Sequence, residues 1–170
     1  MVKVRGGGPF SSLLRPKRMT IEIEKGLFMA DLFTLRPARE EDTDTINAYA
    51  SWEGMDDMPS MENITVAQSV AGDIVGFLRV AHGANGVAHV NPVVTVSTWR
   101  GYGVGRALMD DALQRFGELR LVARGESVGF YEALGYVPLT WDDVDKAVVD
   151  DCDHCAMRAE CGPVPMGKVR

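Results

Sequence analysis

The chain has 170 residues, 46% of them hydrophobic and 25% charged, which is the composition of an ordinary soluble globular protein. The formal net charge is −6, although the first 18 residues carry five basic side chains and no acidic one, so the rest of the chain is strongly acidic. An acidic body argues against nucleic acid as a partner, and no stretch is long and apolar enough to span a membrane. The basic leader has too few apolar residues for a signal peptide, so we expect a cytoplasmic protein.

Residues 1–30 and residues 31–170 differ in character. The first segment begins with Gly-, Ser- and Pro-rich sequence that has no apolar period, and we expect it to be a flexible N-terminal extension. The remainder has the usual length of one domain. The sequence therefore predicts a single domain over 31–170, with a cysteine-containing C-terminal segment over 141–170.

The first half of the domain predicts a strand, a helix and a hairpin. Leu32–Ala38 alternates apolar and polar residues, as a half-buried strand does. Residues 39–52 have acidic side chains early and apolar ones at helical spacing, which predicts a helix. Asn63–Val70 and Ile74–Ala81 are rich in β-forming residues and are separated by a turn that contains Gly72.

The next predicted strand, Val87–Val96, contains a proline. Pro92 has no N–H to donate to a neighbouring strand, so a proline in an apparently central strand indicates a local irregularity. We expect a β-bulge at Asn91 and Pro92.

Helices and strands alternate through the second half. Apolar residues recur at helical spacing from Val104 to Phe116. A strand, a short helix and two more strands are then predicted over 118–124, 126–134, 136–139 and 163–169. This order predicts a mixed fold of the α+β (or α/β) class.

Three glycines stand at alternate positions, 101, 103 and 105, immediately before the long helix, with Arg100 and Arg106 on either side. The first N–H groups of a helix have no partner inside the helix, and anions bind them. Glycine adds no Cβ that would keep a diphosphate from the backbone. The loop is not a Walker A motif, because no Lys-Ser or Lys-Thr pair follows, and the dinucleotide spacing G-x-G-x-x-G is not met.

The loop instead fits R-x-x-G-x-G, with Arg100, Gly103 and Gly105 at the specified positions. In this pattern the sequence resembles the GNAT acyltransferase superfamily. The resemblance continues in the family's order through roughly residues 32–139, in "FTLRPAREEDTDTI", "NPVVTVSTWRGYGVGRALM" and "LVARGESVGFYEALGYVPL". It implies a GNAT fold, with a central, mostly antiparallel, bulged sheet flanked by helices.

The resemblance also implies an activity. The chain is expected to be an N-acetyltransferase that transfers the acetyl group of acetyl-coenzyme A to a primary amine of a small molecule or peptide. The bulged strand would hold the pantetheine arm and the loop amides the diphosphate. The implied cofactor-binding residues are Val93, Val94, Thr95, Arg100, Gly101, Tyr102, Gly103, Val104, Gly105 and Arg106.

Two catalytic candidates follow. Tyr131 lies in "GFYEALGY" and corresponds to the tyrosine that protonates the leaving sulfur in many family members; the structural alternative is packing beside Phe130. His89, on the bulged strand, has a pKa suited to a general base, but a lone histidine on a strand is more often structural. An ordered water and positioning alone are a further alternative to a side-chain base.

One position departs from the family pattern. Many members have an asparagine about seven residues before the tyrosine, where it contacts the cofactor, whereas this chain has Arg124, Gly125 and Glu126 there. The alternative function is therefore a non-catalytic acyl-coenzyme A sensor or protein-interaction module on the same fold. A homodimer is compatible with either function.

The segment from Ala50 to Asn63 is expected to shape the acceptor pocket. It combines carboxylates with large apolar side chains, which suits a partly apolar amine. The carboxylates are Glu53, Asp56, Asp57 and Glu62, and the apolar side chains are Trp52, Met55, Met58 and Met61.

Three cysteines lie close together near the C-terminus. Cys152, Cys155, Cys161 and His154 together have enough ligands for a tetrahedral zinc ion. The spacing C-x2-C-x5-C is not that of a standard zinc finger, and a histidine adjacent to a cysteine strains shared coordination. We favour reduced thiols and predict no metal site.

Overall fold

A seven-stranded sheet forms the centre of the computed structural model, which describes residues 32–149, 152 and 154–170. The predicted extension over 1–30 lies outside these residues. The spatial order of the strands is β1-β2-β3-β4-β5-β7-β6, and every neighbouring pair is antiparallel except β4 and β5. The strands are β1 (Phe33–Pro37), β2 (Ile64–Ser69), β3 (Ile74–His82), β4 (Ala88–Thr95), β5 (Glu118–Ala123), β6 (Val137–Pro138) and β7 (Val164–Val169).

Four α-helices accompany the sheet in the described part of the chain. They are α1 (Thr43–Trp52), α2 (Val104–Phe116), α3 (Val128–Ala133) and α4 (Arg158–Cys161). No helix among the described residues is long and apolar enough to cross a bilayer. The predicted α+β class and mostly antiparallel sheet are confirmed.

The two longest helices cover opposite faces of the sheet. Consecutive β3 residues point to opposite faces, and Phe77 belongs to the apolar cluster around α1 while Leu78 belongs to the cluster around α2. Helix α2 buries its apolar stripe, including Leu108 and Ala112, against the sheet, and α1 buries Ile46 on the other side. The central strands are therefore enclosed, and the buried positions of β2 and β3 are mostly apolar, with Thr65 and Ser69 as the polar exceptions.

The predicted bulge in β4 is confirmed. Val90 is opposite Val80 and Val93 is opposite Leu78, so β4 uses three steps where β3 uses two. The extra residue lies at Asn91 and Pro92, as expected for a residue that cannot donate to a ladder. On the opposite strand, Arg79 Nη1 donates to the carbonyl oxygen of Asn91 at 3.0 Å.

Strands β4 and β5 pair over a very short length. Their parallel ladder joins Ala88 with Leu119 and His89 with Arg120, and no further pair follows. On its other side, β5 pairs with β7 over its whole length. The two strands separate at the bulge, so the edge of β4 from Val90 to Thr95 that would face β5 is left without a partner strand.

A partly buried ion pair attaches the end of β1 to the start of α1. Arg36 Nη1 and Nη2 donate to Asp42 Oδ2 and Oδ1 at 2.7 and 2.9 Å, and the Arg39 N–H donates to Asp42 Oδ2 at 2.8 Å. The Arg36 guanidinium lowers the pKa of Asp42 below the usual value for an aspartate.

Asp42→Asn is expected to lower the free energy of unfolding by about 2 to 3 kcal/mol at pH 7, since it leaves the largely buried Arg36 without its counter-ion. Because the folded-state pKa is lowered, this contribution is complete above about pH 4 and is lost as pH falls through the lowered pKa. Urea unfolding at pH 7 and pH 3 measures both effects. The control is Glu41→Gln, whose partner Arg39 is exposed; a loss as large as that of Asp42→Asn would contradict the assignment.

Candidate active site

A cleft of about 700 Å³ opens where β4 and β5 separate. One wall is the β4 segment Val90–Thr95, a second is the glycine loop with the first turn of α2, and a third is the end of β5 with the start of α3. Glu53 and Met55, which follow α1, complete the rim. All the predicted cofactor-binding residues except Tyr102 line this cleft.

The amino end of α2 projects bare backbone into the cleft. Gly101 and Gly103 have φ angles of 87° and 83°, which a side chain would oppose. Gly103 is the N-cap residue of α2, and no side chain caps the helix there. The first N–H groups of α2 are therefore not bonded to a capping side chain, as an anion site at a helix end requires.

Gly105 is needed for a different reason, which is space. A Cβ at this position would lie 3.1 Å from the ring of Phe130 and 3.4 Å from Thr95 Oγ1. The first turn of α2 therefore packs closely against α3 and β4, and the absence of a side chain makes that approach possible.

The two arginines that flank the loop differ in their contacts. Arg100 Nη2 donates to Glu53 Oε1 at 2.7 Å and Arg100 Nε to the Thr95 carbonyl oxygen at 3.3 Å. Arg106 is exposed at the cleft and has no ion-pair partner among the described residues. Arg106 is thus the cation available to a ligand, whereas Arg100 would have to exchange Glu53 for it.

Tyr102 is the predicted cofactor-binding residue that does not line the cleft. Its ring packs beside Trp99, with the ring centroids 5.7 Å apart, and half of its surface is exposed. The sequence predicted a role for its backbone amide, but the Tyr102 N–H donates to the Trp99 carbonyl oxygen at 3.3 Å and is therefore already bonded within the loop.

Tyr131 is positioned by α3 at the inner wall of the cleft. It is 8% exposed, and its ring lies between those of Phe130 and Tyr136, at centroid distances of 5.0 and 5.9 Å. Burial raises the pKa of Tyr131 to about 12, so the hydroxyl remains protonated at physiological pH. Within the described part of the chain the hydroxyl has no hydrogen-bond partner, which leaves it available to a ligand.

His89 is buried in the interior of the sheet and does not line the cleft. It is fully buried, its Nδ1 donates to the Val87 carbonyl oxygen at 2.9 Å, and its Nε2 accepts from the Asp145 N–H at 3.1 Å. Burial lowers the pKa of His89, so the ring is neutral and uses both nitrogens for backbone bonds. Buried outside the cleft with both nitrogens bonded, His89 lacks the access to an acceptor amine that the predicted general-base role requires.

His89→Gln is expected to lower the free energy of unfolding by about 1 to 3 kcal/mol, since it leaves buried backbone groups without their partner. The pH dependence of turnover should keep its shape. Thermal unfolding and a pH–rate profile measure the two effects. His82→Gln is the control, because His82 lies on the exposed end of β3; an acidic limb lost only in His89→Gln would restore the base assignment.

A second cavity, of about 850 Å³, adjoins the cleft. The two share the bulged part of β4, Val90–Pro92, together with Glu53 and Arg124. Of the carboxylates predicted for the acceptor pocket, Glu53, Asp56 and Asp57 line this cavity, whereas Glu62 does not. The predicted acceptor segment therefore does border a cavity, next to the cleft that the glycine loop forms.

The three cysteines also line the second cavity, which their spacing did not predict. Cys155 is exposed and Cys152 and Cys161 are half-buried, and no disulfide joins them. No group of three or more His, Cys, Asp or Glu side chains within the described ranges is placed to hold a metal ion.

The sequence matches the family model described as Acetyltransferase (GNAT) domain over residues 34–161. The chain belongs to the GNAT acetyltransferase family. Membership makes this protein an acyltransferase. No curated protein sequence matches the chain significantly.

Solved acetyltransferase structures share the fold of this GNAT chain over about four-fifths of its length. Rv2747 from Mycobacterium tuberculosis, solved with CoA and NLQ, has 16% identity and a TM-score of 0.66, covering 81% of this chain and 99% of its own. Nourseothricin acetyltransferase has 20% identity and a TM-score of 0.59, covering 81% and 98%. Chaetomium thermophilum Naa20, solved with a bisubstrate analogue, has 18% identity and a TM-score of 0.59, covering 80% and 86%.

Sequence reasoning missed several residues of the GNAT cleft. Arg124 and Glu126, at the position where many family members have asparagine, line both cavities. Arg124 Nη2 donates to the Glu53 carbonyl oxygen at 3.1 Å, which ties the end of β5 to the segment after α1. Phe130 also lies on the cleft wall, whereas the sequence predicted it only as a packing partner of Tyr131. No periodicity or spacing links these distant residues.

Proposed function

We propose that this GNAT domain transfers the acetyl group of acetyl-coenzyme A to a primary amine of a small molecule or peptide. The observation that supports this most directly is the cleft itself. It brings together the uncapped amino end of α2, the unpaired edge of β4 and the protonated hydroxyl of Tyr131. These groups suit, in turn, a diphosphate, an amide-containing arm and a leaving thiolate.

The residues of the cleft fit the cofactor. The N–H groups of the loop and first turn at 101 and 103–106, together with the Arg106 guanidinium, would hold the diphosphate. The backbone of Val93, Val94 and Thr95 would hold the pantetheine arm, since this edge of β4 has no partner strand. The cofactor supplies an acetyl group activated as a thioester.

The acceptor amine must be neutral to form the new nitrogen–carbon bond, and its proton leaves to water. As the carbon–sulfur bond breaks, Tyr131 donates a hydrogen bond to the sulfur. Its pKa of about 12 lies above that of a thiol, about 8.5, so complete proton transfer from the phenol is unfavourable. Tyr131 therefore stabilises the developing thiolate, which takes its proton from solvent.

Two measurements on the full chain test this function. Calorimetry should detect salt-sensitive binding of coenzyme A, because an ionic diphosphate site weakens as salt screens it. A thiol reagent should then detect free coenzyme A thiol when acetyl-coenzyme A and a suitable primary amine are both present. Absence of coenzyme A binding by the folded protein would refute the proposal, and binding without turnover on any amine would favour the acyl-coenzyme A sensor.

A further inference from the structure

We propose that the acceptor is a small-molecule dication, with two amino groups separated by an apolar chain. This inference rests on the proposed function and specifies its substrate. It concerns the second cavity, which adjoins the cofactor cleft at the β4 bulge. An amine that attacks a thioester held along β4 must approach from a space that borders both Val90 and Pro92, and this cavity does so.

The charge of the cavity favours cations. Five carboxylates line it, from Glu53, Asp56, Asp57, Glu126 and Glu160, against two guanidinium groups. Within the described part of the chain, the last four of these carboxylates have no ion-pair or hydrogen-bond partner. The field inside a concave, acidic wall concentrates cations and repels anions.

The two guanidinium groups keep their charge and offset two of the five carboxylates, but within the described ranges they form no ion pair with any of them, so the lining remains net negative. Arg79 Nη1 donates to the Asn91 carbonyl oxygen at 3.0 Å, and Arg124 Nη2 to the Glu53 carbonyl oxygen at 3.1 Å. Both arginines are thus held by backbone oxygens, and no carboxylate of the cavity lies within ion-pair distance of either one in the described residues. Glu53 forms its ion pair with Arg100, on the cofactor side.

The wall between the charged groups is apolar and adaptable. Met55, Met58 and Met157 line the cavity together with Val149 and Pro59. Thioether side chains are flexible and polarizable, so they accommodate a methylene chain without requiring one shape. Carboxylates next to an apolar wall suit a ligand that has ammonium groups joined by a hydrocarbon chain.

The two amino groups then have different roles. One loses its proton and is acetylated at the cleft, while the second remains charged against the carboxylates and positions the molecule. The volume of about 850 Å³ is ample for such a molecule. An acceptor with a carboxylate at its far end would be repelled by the same wall.

Three acceptors of equal chain length test the inference: 1,6-diaminohexane, hexylamine and 6-aminohexanoate. Their distal groups are an ammonium, a methyl and a carboxylate. We expect kcat/KM for the diamine to exceed that for hexylamine by at least about tenfold, which corresponds to about 1.4 kcal/mol and is well above the factor of two expected from two equivalent ends. The 6-aminohexanoate should be the poorest acceptor.

Paired variants locate the effect. Asp56→Asn with Asp57→Asn should reduce the ratio of kcat/KM for the diamine to kcat/KM for hexylamine to less than about threefold, mainly through a higher KM for the diamine. Glu62→Gln is the matched control, because it lies in the same segment but does not line the cavity. Melting temperature and coenzyme A affinity should be unchanged in both.

Calorimetry separates failure of this inference from failure of the proposed function. Suppose that coenzyme A binds, and that hexylamine is acetylated as well as the diamine or binds as tightly in the presence of coenzyme A. The assignment of a dicationic acceptor is then wrong, and the acetyltransferase function stands. Preference for 6-aminohexanoate would also overturn the inference. If coenzyme A does not bind at all, the proposed function fails and the acceptor assignment falls with it.

Discussion

Gly103→Val is expected to weaken coenzyme A binding by at least about a hundredfold. Gly103 is the N-cap residue of α2 and has a φ angle of 83°, where a β-branched residue is strained. A side chain here also crowds the N–H groups that the diphosphate would use. Loss of two charge-assisted hydrogen bonds, each of about 1.5 to 3 kcal/mol, is sufficient for this decrease. Calorimetric titration with coenzyme A measures it.

Gly86→Val separates the two causes. Gly86 has a φ angle of 79° and open space around it, so it shares the backbone strain, but it lies in the turn between β3 and β4 and does not line the cleft. Both variants should lose similar free energy of unfolding, and only Gly103→Val should lose affinity. Equal affinity in the two variants would show that the amino end of α2 does not hold the diphosphate.

Tyr131→Phe is expected to lower kcat by about a hundredfold or more, with coenzyme A affinity unchanged within about twofold. The variant keeps the ring that packs against Phe130 and removes only the hydroxyl that would stabilise the sulfur. Because burial raises the pKa of Tyr131 to about 12, the donor form persists as pH rises, and turnover that depends on it should decline only as pH approaches 12. Steady-state kinetics and calorimetry measure these two effects.

Tyr136→Phe is the matched control for that variant. The rings of Tyr131 and Tyr136 are neighbours, but the Tyr136 hydroxyl is buried without a hydrogen-bond partner in the described structure. Its removal should leave kcat unchanged and should not lower stability, since no bond is lost and an unsatisfied polar group disappears. Similar losses in both variants would mean that Tyr131 acts through packing and not through its hydroxyl.

The parts of the fold that sequence predicted well depend on local chemistry. Pro92 indicated the bulge because a residue without an N–H cannot continue a ladder, and the register around it has the extra residue. Gly101 and Gly103 indicated unusual backbone, and both have positive φ angles. Strand ends were predicted to within about two residues, whereas the helix predicted over 39–52 begins as α1 only at Thr43. The last two predicted strands become β6, of two residues, and β7, which lies between β5 and β6.

The parts that sequence did not predict depend on distant contacts. His89 has the right chemistry for a base, but β4 places it in the interior, where the Asp145 N–H occupies its second nitrogen. The cysteines suggested metal binding or plain thiols, whereas their position on the second cavity, beside β4 residues far away along the chain, was not visible in their spacing. Arg100 was predicted as a phosphate ligand, and its pairing with Glu53, 47 positions away, was not visible in the pattern.

Sequence alone determined the backbone of the glycine loop, the bulge, the order of elements and the family. The first two follow because a missing Cβ or a missing N–H acts on the residue itself and its immediate neighbours. Only the tertiary structure decided which side chains face one another across the cleft and the adjoining cavity. That outcome depends on where β4 and β5 stop pairing, which brings the segment after α1, the start of α3 and the cysteine segment to one place. Side chains from segments so far apart along the chain meet because of sheet geometry, and no local pattern records it.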